Sequence, residues 1–196
     1  MEDRPTSSRG IVGILLAAGQ GSRFGSNKLC HPLADGNPLA LRSAENLRDA
    51  LGEVLAVLRP EDSVLRGYFD VAGVPYVLCP DAGQGMAATL VCGIRATPGA
   101  SGWVIALGDM PYIRPRTMAA VASAIADGAL LVAPFVDGQR GHPVGFAAAL
   151  KDELLALAGD EGARRVIVAH KEQLLRIDCD DPGILADIDV PDDVRP

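Results

Sequence analysis

Short apolar runs rich in β-branched residues alternate along this chain with segments whose apolar positions recur every three or four residues. Ile11–Leu16, Glu53–Leu58, Pro75–Leu78, Gly102–Leu107, Ala129–Phe135 and Pro143–Phe146 predict strands. Asn37 and Pro38 open a helix through Leu51, with an N-cap and a proline in the first turn, and Leu41, Ala44, Leu47 and Leu51 keep its spacing. Glu61–Phe69, Met86–Ala96 and Pro115–Ala126 read as further helices. Strands that alternate with helices in this way predict an α/β fold, a single doubly wound, mostly parallel sheet with helices on both faces. No repeat, linker or low-complexity tract breaks the pattern, so 11–196 reads as one domain behind a polar, flexible N-terminus at 1–10. In such a sheet ligands sit outside the carboxyl ends of the strands, so chemistry is expected in the segments that follow them.

Composition narrows the partners. The 196 residues carry a net charge of −7 and only 4% aromatics, which argues against a nucleic-acid surface and leaves any local cluster of cations conspicuous. Cys30, Cys79, Cys92 and Cys179 are scattered without a C-x-x-C pair, a usage that suits a reducing compartment. No apolar run approaches membrane-spanning length and Met1–Arg9 lacks an apolar signal region, so no membrane partner is expected and the cytoplasm is the default location.

The richest segment is Leu15-Leu16-Ala17-Ala18-Gly19-Gln20-Gly21-Ser22-Arg23-Phe24-Gly25-Ser26-Asn27-Lys28, directly after the first strand. Its glycines let backbone N–H groups approach an anion closely, and Arg23 and Lys28 add two cations. That combination suits a nucleoside triphosphate. It is not a Walker loop, because five residues separate Gly19 from Gly25 and Lys28 comes three positions later, followed by Leu29. Nor is it a dinucleotide fingerprint, since the third glycine after Gly19 and Gly21 arrives one residue late.

Four later clusters follow predicted strands or close the chain. Asp109, in Leu107-Gly108-Asp109-Met110-Pro111, is either an ordinary turn residue or a carboxylate held toward the crevice, where nucleotidyl transfer needs a Mg²⁺ ligand. Gly85 and Met86 begin a helix whose N–H groups either face a nucleotide or merely start the helix. Asp137-Gly138 predicts a hairpin turn, with His142 where the second strand begins; a histidine there is structural or binds substrate. Asp160 is placed to cap a helix carrying Arg164 and Arg165, and Asp187–Asp193 forms an acidic end.

The spacing L-A-A-G-x-G-x-R-[MF]-G-x-x-K across Leu16–Lys28 resembles the MobA-like nucleotidyltransferases, and within them the molybdenum cofactor cytidylyltransferases. The likeness runs from about Ile11 to about Asp193. It includes L-G-D-x-P at Leu107–Pro111, G-[RQ]-x-G-H-P-V at Gly138–Val144, G-D-x-G-A-R at Gly159–Arg164, and D-I-D-T-P-E-D at Asp187–Asp193, with Val190 in place of Thr and Asp192 in place of Glu. Ala87-Ala88-Thr89 stands where the family shows three serines, which removes two hydroxyls from that helix start.

This resemblance implies a Rossmann-like nucleotidyltransferase fold and a Mg²⁺-dependent transfer of a nucleoside monophosphate to molybdopterin-type cofactor, with pyrophosphate released. Leu16, Ala17, Ala18, Gly19, Gly21, Arg23, Lys28, Gly85 and Met86 would then bind nucleotide. Arg23, Lys28 and Asp109 would be catalytic, Asp109 with Asp189 (or Asp187) would hold metal, and His142, Pro143, Gly162 and Arg164 would bind the acceptor. L-A-A-G, rather than the guanylyl branch's L-A-G-G, points to CTP over GTP, because the Ala18 methyl narrows the base pocket. A molybdenum apo-enzyme is the partner such an enzyme would serve. Two alternatives stay open from the residues themselves: transfer to another phosphorylated acceptor, such as a sugar phosphate or phospholactate, and a non-catalytic carrier of cofactor or nucleotide.

Overall fold

The structure, a computed structural model, describes residues 10–19, 27–190 and 193–194. All of the expected flexible N-terminus except Gly10, together with Gly21 and Arg23, lies outside the described residues.

Eight strands form one mixed sheet: β1 (Ile11–Leu16), β2 (Val54–Leu58), β3 (Tyr76–Leu78), β4 (Gly102–Leu107), β5 (Leu131–Val136), β6 (Gln139–Arg140), β7 (Val144–Ala147) and β8 (Leu174–Asp178). Their order is β3-β2-β1-β4-β7-β5-β6, with β8 also paired to β5. β3, β2, β1 and β4 are mutually parallel, β7 runs antiparallel between β4 and β5, and β8 is parallel to β5. The sheet is thus doubly wound and parallel from β3 to β4, as expected, with the reversed strands on the other side of β4.

Helices α1 (Leu39–Leu51), α2 (Ser63–Ala72) and α4 (Pro115–Ala126) cover one face; α3 (Met86–Ala96), α5 (Lys151–Leu155) and α6 (Arg164–Ala169) cover the other. Successive strand residues point to opposite faces: Leu15, Ala56 and Val104 enter the core under α1, α2 and α4, whereas Ile14, Val57 and Trp103 enter the core under α3, α5 and α6. Both faces are buried, which is why the central strands read as continuous apolar runs in the sequence.

The bounds of β1, β4, α3 and α4 coincide with those expected, but three local expectations need correction. Asn37 does not cap α1. Its N–H donates to Asp35 Oδ1 (3.0 Å) within the preceding turn, and Pro38 occupies the cap position without any side-chain bond. Asp160 does not cap α6, whose cap position is Ala163. The hairpin turn is present, with Asp137 and Gly138 both at positive φ (49° and 79°) as a type I′ turn requires. The strand it opens ends at Arg140, however, so His142 falls between β6 and β7 and not at a strand start. β8 had no counterpart in the sequence reading, because its residues are largely exposed and lack an apolar run. Among the described residues no helix is long and apolar enough to cross a membrane.

Candidate nucleotidyl-transfer site

The register Leu15↔Ala106, Leu16↔Leu107 brings the segments after β1 and β4 side by side. The Gly108 N–H donates to the Leu16 carbonyl (2.9 Å), and a Cβ at Gly108 would press on Ala17 Cβ at 3.1 Å. Glycine is therefore required for this approach, and Asp109 follows it at the mouth of the crevice. Helix α1 holds the loop from behind. The buried Ser43 hydroxyl donates to the Gly108 carbonyl (3.1 Å), and Asn46 Nδ2 donates to the carbonyls of Pro111 (2.8 Å) and Ile113 (3.2 Å). Neither residue was singled out in the sequence; the only signal for Ser43 is a polar side chain at a buried position of the apolar stripe.

The C-terminal segment closes the same spot. Ile188 donates its N–H to the Asp109 carbonyl (3.0 Å), and its buried side chain packs with Leu39. Asp189 is thereby set beside Asp109, while the turn behind it is fixed by Asp193 Oδ2 accepting from the N–H groups of Asp189 and Val190 (both 2.9 Å). Those two bonds hold the Asp193 carboxyl below its ordinary range, and the Lys28 charge adds to them.

Lys28 reaches both carboxylates. Its Nζ lies 2.9 Å from Asp109 Oδ2 and 3.0 Å from Asp189 Oδ1, and the lysine side chain is only 10% exposed. Burial pulls the ammonium toward its neutral form, but the hydrogen bonds and charges of Asp109 and Asp189 outweigh it, and the lysine is held above its ordinary value. Asp187 makes no such contact, so of the two candidate C-terminal carboxylates the site contains Asp189.

A cavity of about 640 Å³ opens over these groups, lined by Leu16, Ala18, Gly19 and Lys28 on one side and by Gly85, Met86, Thr89 and Asp160 on the other. Ala17 is buried against Gly108 and does not line it. Thr89 supplies the one hydroxyl left at this helix start, and it reaches the cavity wall. A smaller pocket of about 150 Å³ adjoins, sharing Leu16, Met86 and Leu107 with the first, and is bordered by Arg140, His142, Glu161 and Arg164. Pro143 and Gly162 line neither cavity. Pro143 is buried, and Gly162 packs on Met86, where a Cβ would meet the sulfur at 2.8 Å.

His142 is anchored by its N–H to the Ile184 carbonyl (3.0 Å), and its Nδ1 is buried without a hydrogen-bond partner. Burial pushes its pKa down to about 4, helped by Arg140 and opposed by Asp109, so the imidazole is neutral at physiological pH. The arrangement thus joins a buried lysine paired with two carboxylates to a neighbouring pocket edged by two arginines and a neutral histidine.

Residues 13–174 match the MobA-like NTP transferase domain. The chain belongs to that family. This MobA-like nucleotidyltransferase is 32% identical to the purine catabolism protein PucB of Bacillus subtilis (strain 168), over 93% of each chain. It is 30% identical to the molybdenum cofactor guanylyltransferase of Cupriavidus pinatubonensis, over 94% of each. Among solved structures it is similar to Rv0371c of Mycobacterium tuberculosis H37Rv (26% identity, 95% of each chain, TM-score 0.81), a protein also solved as a manganese complex. The enzyme class is therefore nucleotidyltransferase, and the carrier reading falls away.

Proposed function

We propose that this transferase joins CMP from CTP to a molybdopterin-type cofactor in a Mg²⁺-dependent reaction that releases pyrophosphate. The observation that carries the reading is the pairing of Lys28 with both Asp109 and Asp189, with Lys28 and Asp109 lining one cavity beside a second pocket edged by Arg140, His142 and Arg164.

Asp109 and Asp189 would hold Mg²⁺: both offer the hard oxygen donors that ion prefers, and among the described residues no third His, Cys, Asp or Glu joins them. Held there, the ion would neutralise the charge that develops on the phosphate during transfer. Lys28, released from its two carboxylates, turns its ammonium to the α-phosphate and its transition state. Arg23 takes the charge of the triphosphate, and Leu16, Ala18, Gly19, Gly21, Gly85 and Met86 hold the nucleotide. On the other side, Arg164 and the neutral His142 bind the acceptor, with Gly162 packed on Met86 and Pro143 buried behind them. An ionised phosphate monoester attacks the α-phosphorus in line, so no covalent enzyme intermediate is needed. The protein contributes position and charge.

Ala18, only 3% exposed and on the cavity wall, favours the smaller pyrimidine base. The guanylyltransferase relative favours GTP as the second reading. Incubating the enzyme with Mg²⁺, molybdenum cofactor and an equimolar mixture of CTP and GTP, then weighing the products by mass spectrometry, separates them. A cytosine dinucleotide is expected; a guanine dinucleotide establishes the second reading, and no dinucleotide with either base redirects the search to sugar phosphates and phospholactate.

A further inference from the structure

The larger cavity has two chemically different ends. Lys28 and Asp109 mark one, and Ala82, Gly83, Gly85 and Asp160 line the other. Asp109 follows β4, whereas Ala82–Gly85 follow β3, and β1 and β2 lie between those strands in the sheet. Three inter-strand steps place these strand ends about 14 Å apart. A triphosphate held at the Lys28 end therefore extends its base toward the β3 end.

Asp160 is the charged side chain lining that second end. It is fixed there by its neighbours and not by bonds of its own. The Ala87 N–H donates to the Gly159 carbonyl (3.1 Å), pinning the 159–160 turn to the start of α3. Gly85, at φ 116°, has no Cβ, and one built there would collide with Asp160 Oδ1 and the Gly159 carbonyl. Among the described residues the Asp160 carboxylate has no hydrogen-bond or ion-pair partner. It caps no helix, and its exposed side chain lines the cavity beside Ala82, Gly83, Gly85, Met86 and Thr89.

We propose that Asp160 reads the nucleobase, accepting a hydrogen bond from the N–H groups of its Watson–Crick edge. A carboxylate only accepts. Cytosine presents an amino group where uracil presents a carbonyl oxygen that would repel the carboxylate, leaving uracil only its N3–H to donate. Guanine likewise presents N1–H and an amino group together, whereas hypoxanthine lacks the amino group. The inference rests on the nucleotide-transfer assignment above and deepens it, but not on the choice between CTP and GTP.

Titration calorimetry with Mg²⁺ tests it without any acceptor, using CTP against UTP and GTP against ITP on wild type, Asp160→Asn and Asp160→Ala. Wild type is expected to prefer one amino-bearing base over its partner by about 10-fold or more, the scale of a good paired contact to a base edge. In Asp160→Asn and in Asp160→Ala that preference should collapse to within about 3-fold, with melting temperatures unchanged. A ratio that survives both substitutions overturns the assignment, as does wild type that discriminates within neither pair. If only the GTP and ITP pair is discriminated and then collapses, Asp160 reads the base and the CTP reading fails alone.

Discussion

The Lys28 ammonium lies 2.9 Å from the Asp109 carboxylate across 81 residues of sequence. This pair ties the loop after β1 to the loop after β4, and Asp189 adds the C-terminal segment to the same ammonium. Without nucleotide the lysine neutralises two carboxylates that would otherwise repel each other. On the proposed function, nucleotide and Mg²⁺ would give those carboxylates a different counter-ion and the lysine a phosphate, so that the cluster would exchange partners without leaving a charge uncompensated.

Removing the Asp109 carboxylate should therefore abolish most turnover while leaving the fold intact, because Lys28 keeps Asp189. For Asp109→Asn we expect kcat to fall about 10³-fold or more, a loss of transition-state charge stabilisation. Asp189→Asn should cost less, about 10-fold to 10²-fold, since that side chain is half exposed and more readily replaced by water. Pyrophosphate release over a Mg²⁺ titration checks both, and equal losses would contradict the ranking.

Lys28→Met should lower kcat about 10²-fold to 10³-fold and also leave two neighbouring carboxylates without their cation. The melting temperature of this variant should consequently recover as Mg²⁺ is added, more than that of wild type does. A melt that ignores Mg²⁺ would mean that the two carboxylates do not form a cation site.

His142 gives a pH signature. Its folded pKa of about 4 lies below the unfolded value of about 6.5, so below pH 6.5 the unfolded chain binds the extra proton and stability falls. The loss should build from pH 6.5 down to about 4 and reach roughly 2–3 kcal/mol; above pH 6.5 the residue contributes no pH dependence. Urea unfolding of wild type and His142→Gln across that window measures it, and the variant's curve should be flatter there.

Stability elsewhere depends on Asp181, which is 1% exposed. Its carboxylate accepts from the N–H groups of Arg114 (2.9 Å) and Gly183 (3.0 Å) and from the Thr117 hydroxyl (2.6 Å), joining the start of α4 to the C-terminal segment. Asp181→Ala leaves those donors unpaired and should cost about 2–4 kcal/mol in unfolding free energy. Asp181→Asn, which retains acceptors on one oxygen, should cost less. Equal melts for the two would rule out this bonding scheme.

Much of the fold and site was legible because the signals were local. β1 and β4 are buried on both faces and so read as unbroken apolar runs, and the glycine that must precede Asp109 is visible as a motif. What escaped depended on contacts distant in sequence. Nothing near Ser43 or Asn46 indicates that their partners are the carbonyls of Gly108, Pro111 and Ile113. Asp160 stands near a helix start and so looked like a cap; only its packing against Gly85, 75 residues earlier, turns it to the cavity. The Lys28 contacts were the opposite case: three residues named for separate motif reasons proved to meet.

Pyrophosphate release with Mg²⁺, CTP and molybdenum cofactor, each omitted in turn, tests the central claim most directly, with wild type beside Asp109→Asn. Release that requires all three, favours CTP over GTP and vanishes in the variant is the expected result. Release that proceeds equally without the cofactor, or that survives Asp109→Asn, would contradict it.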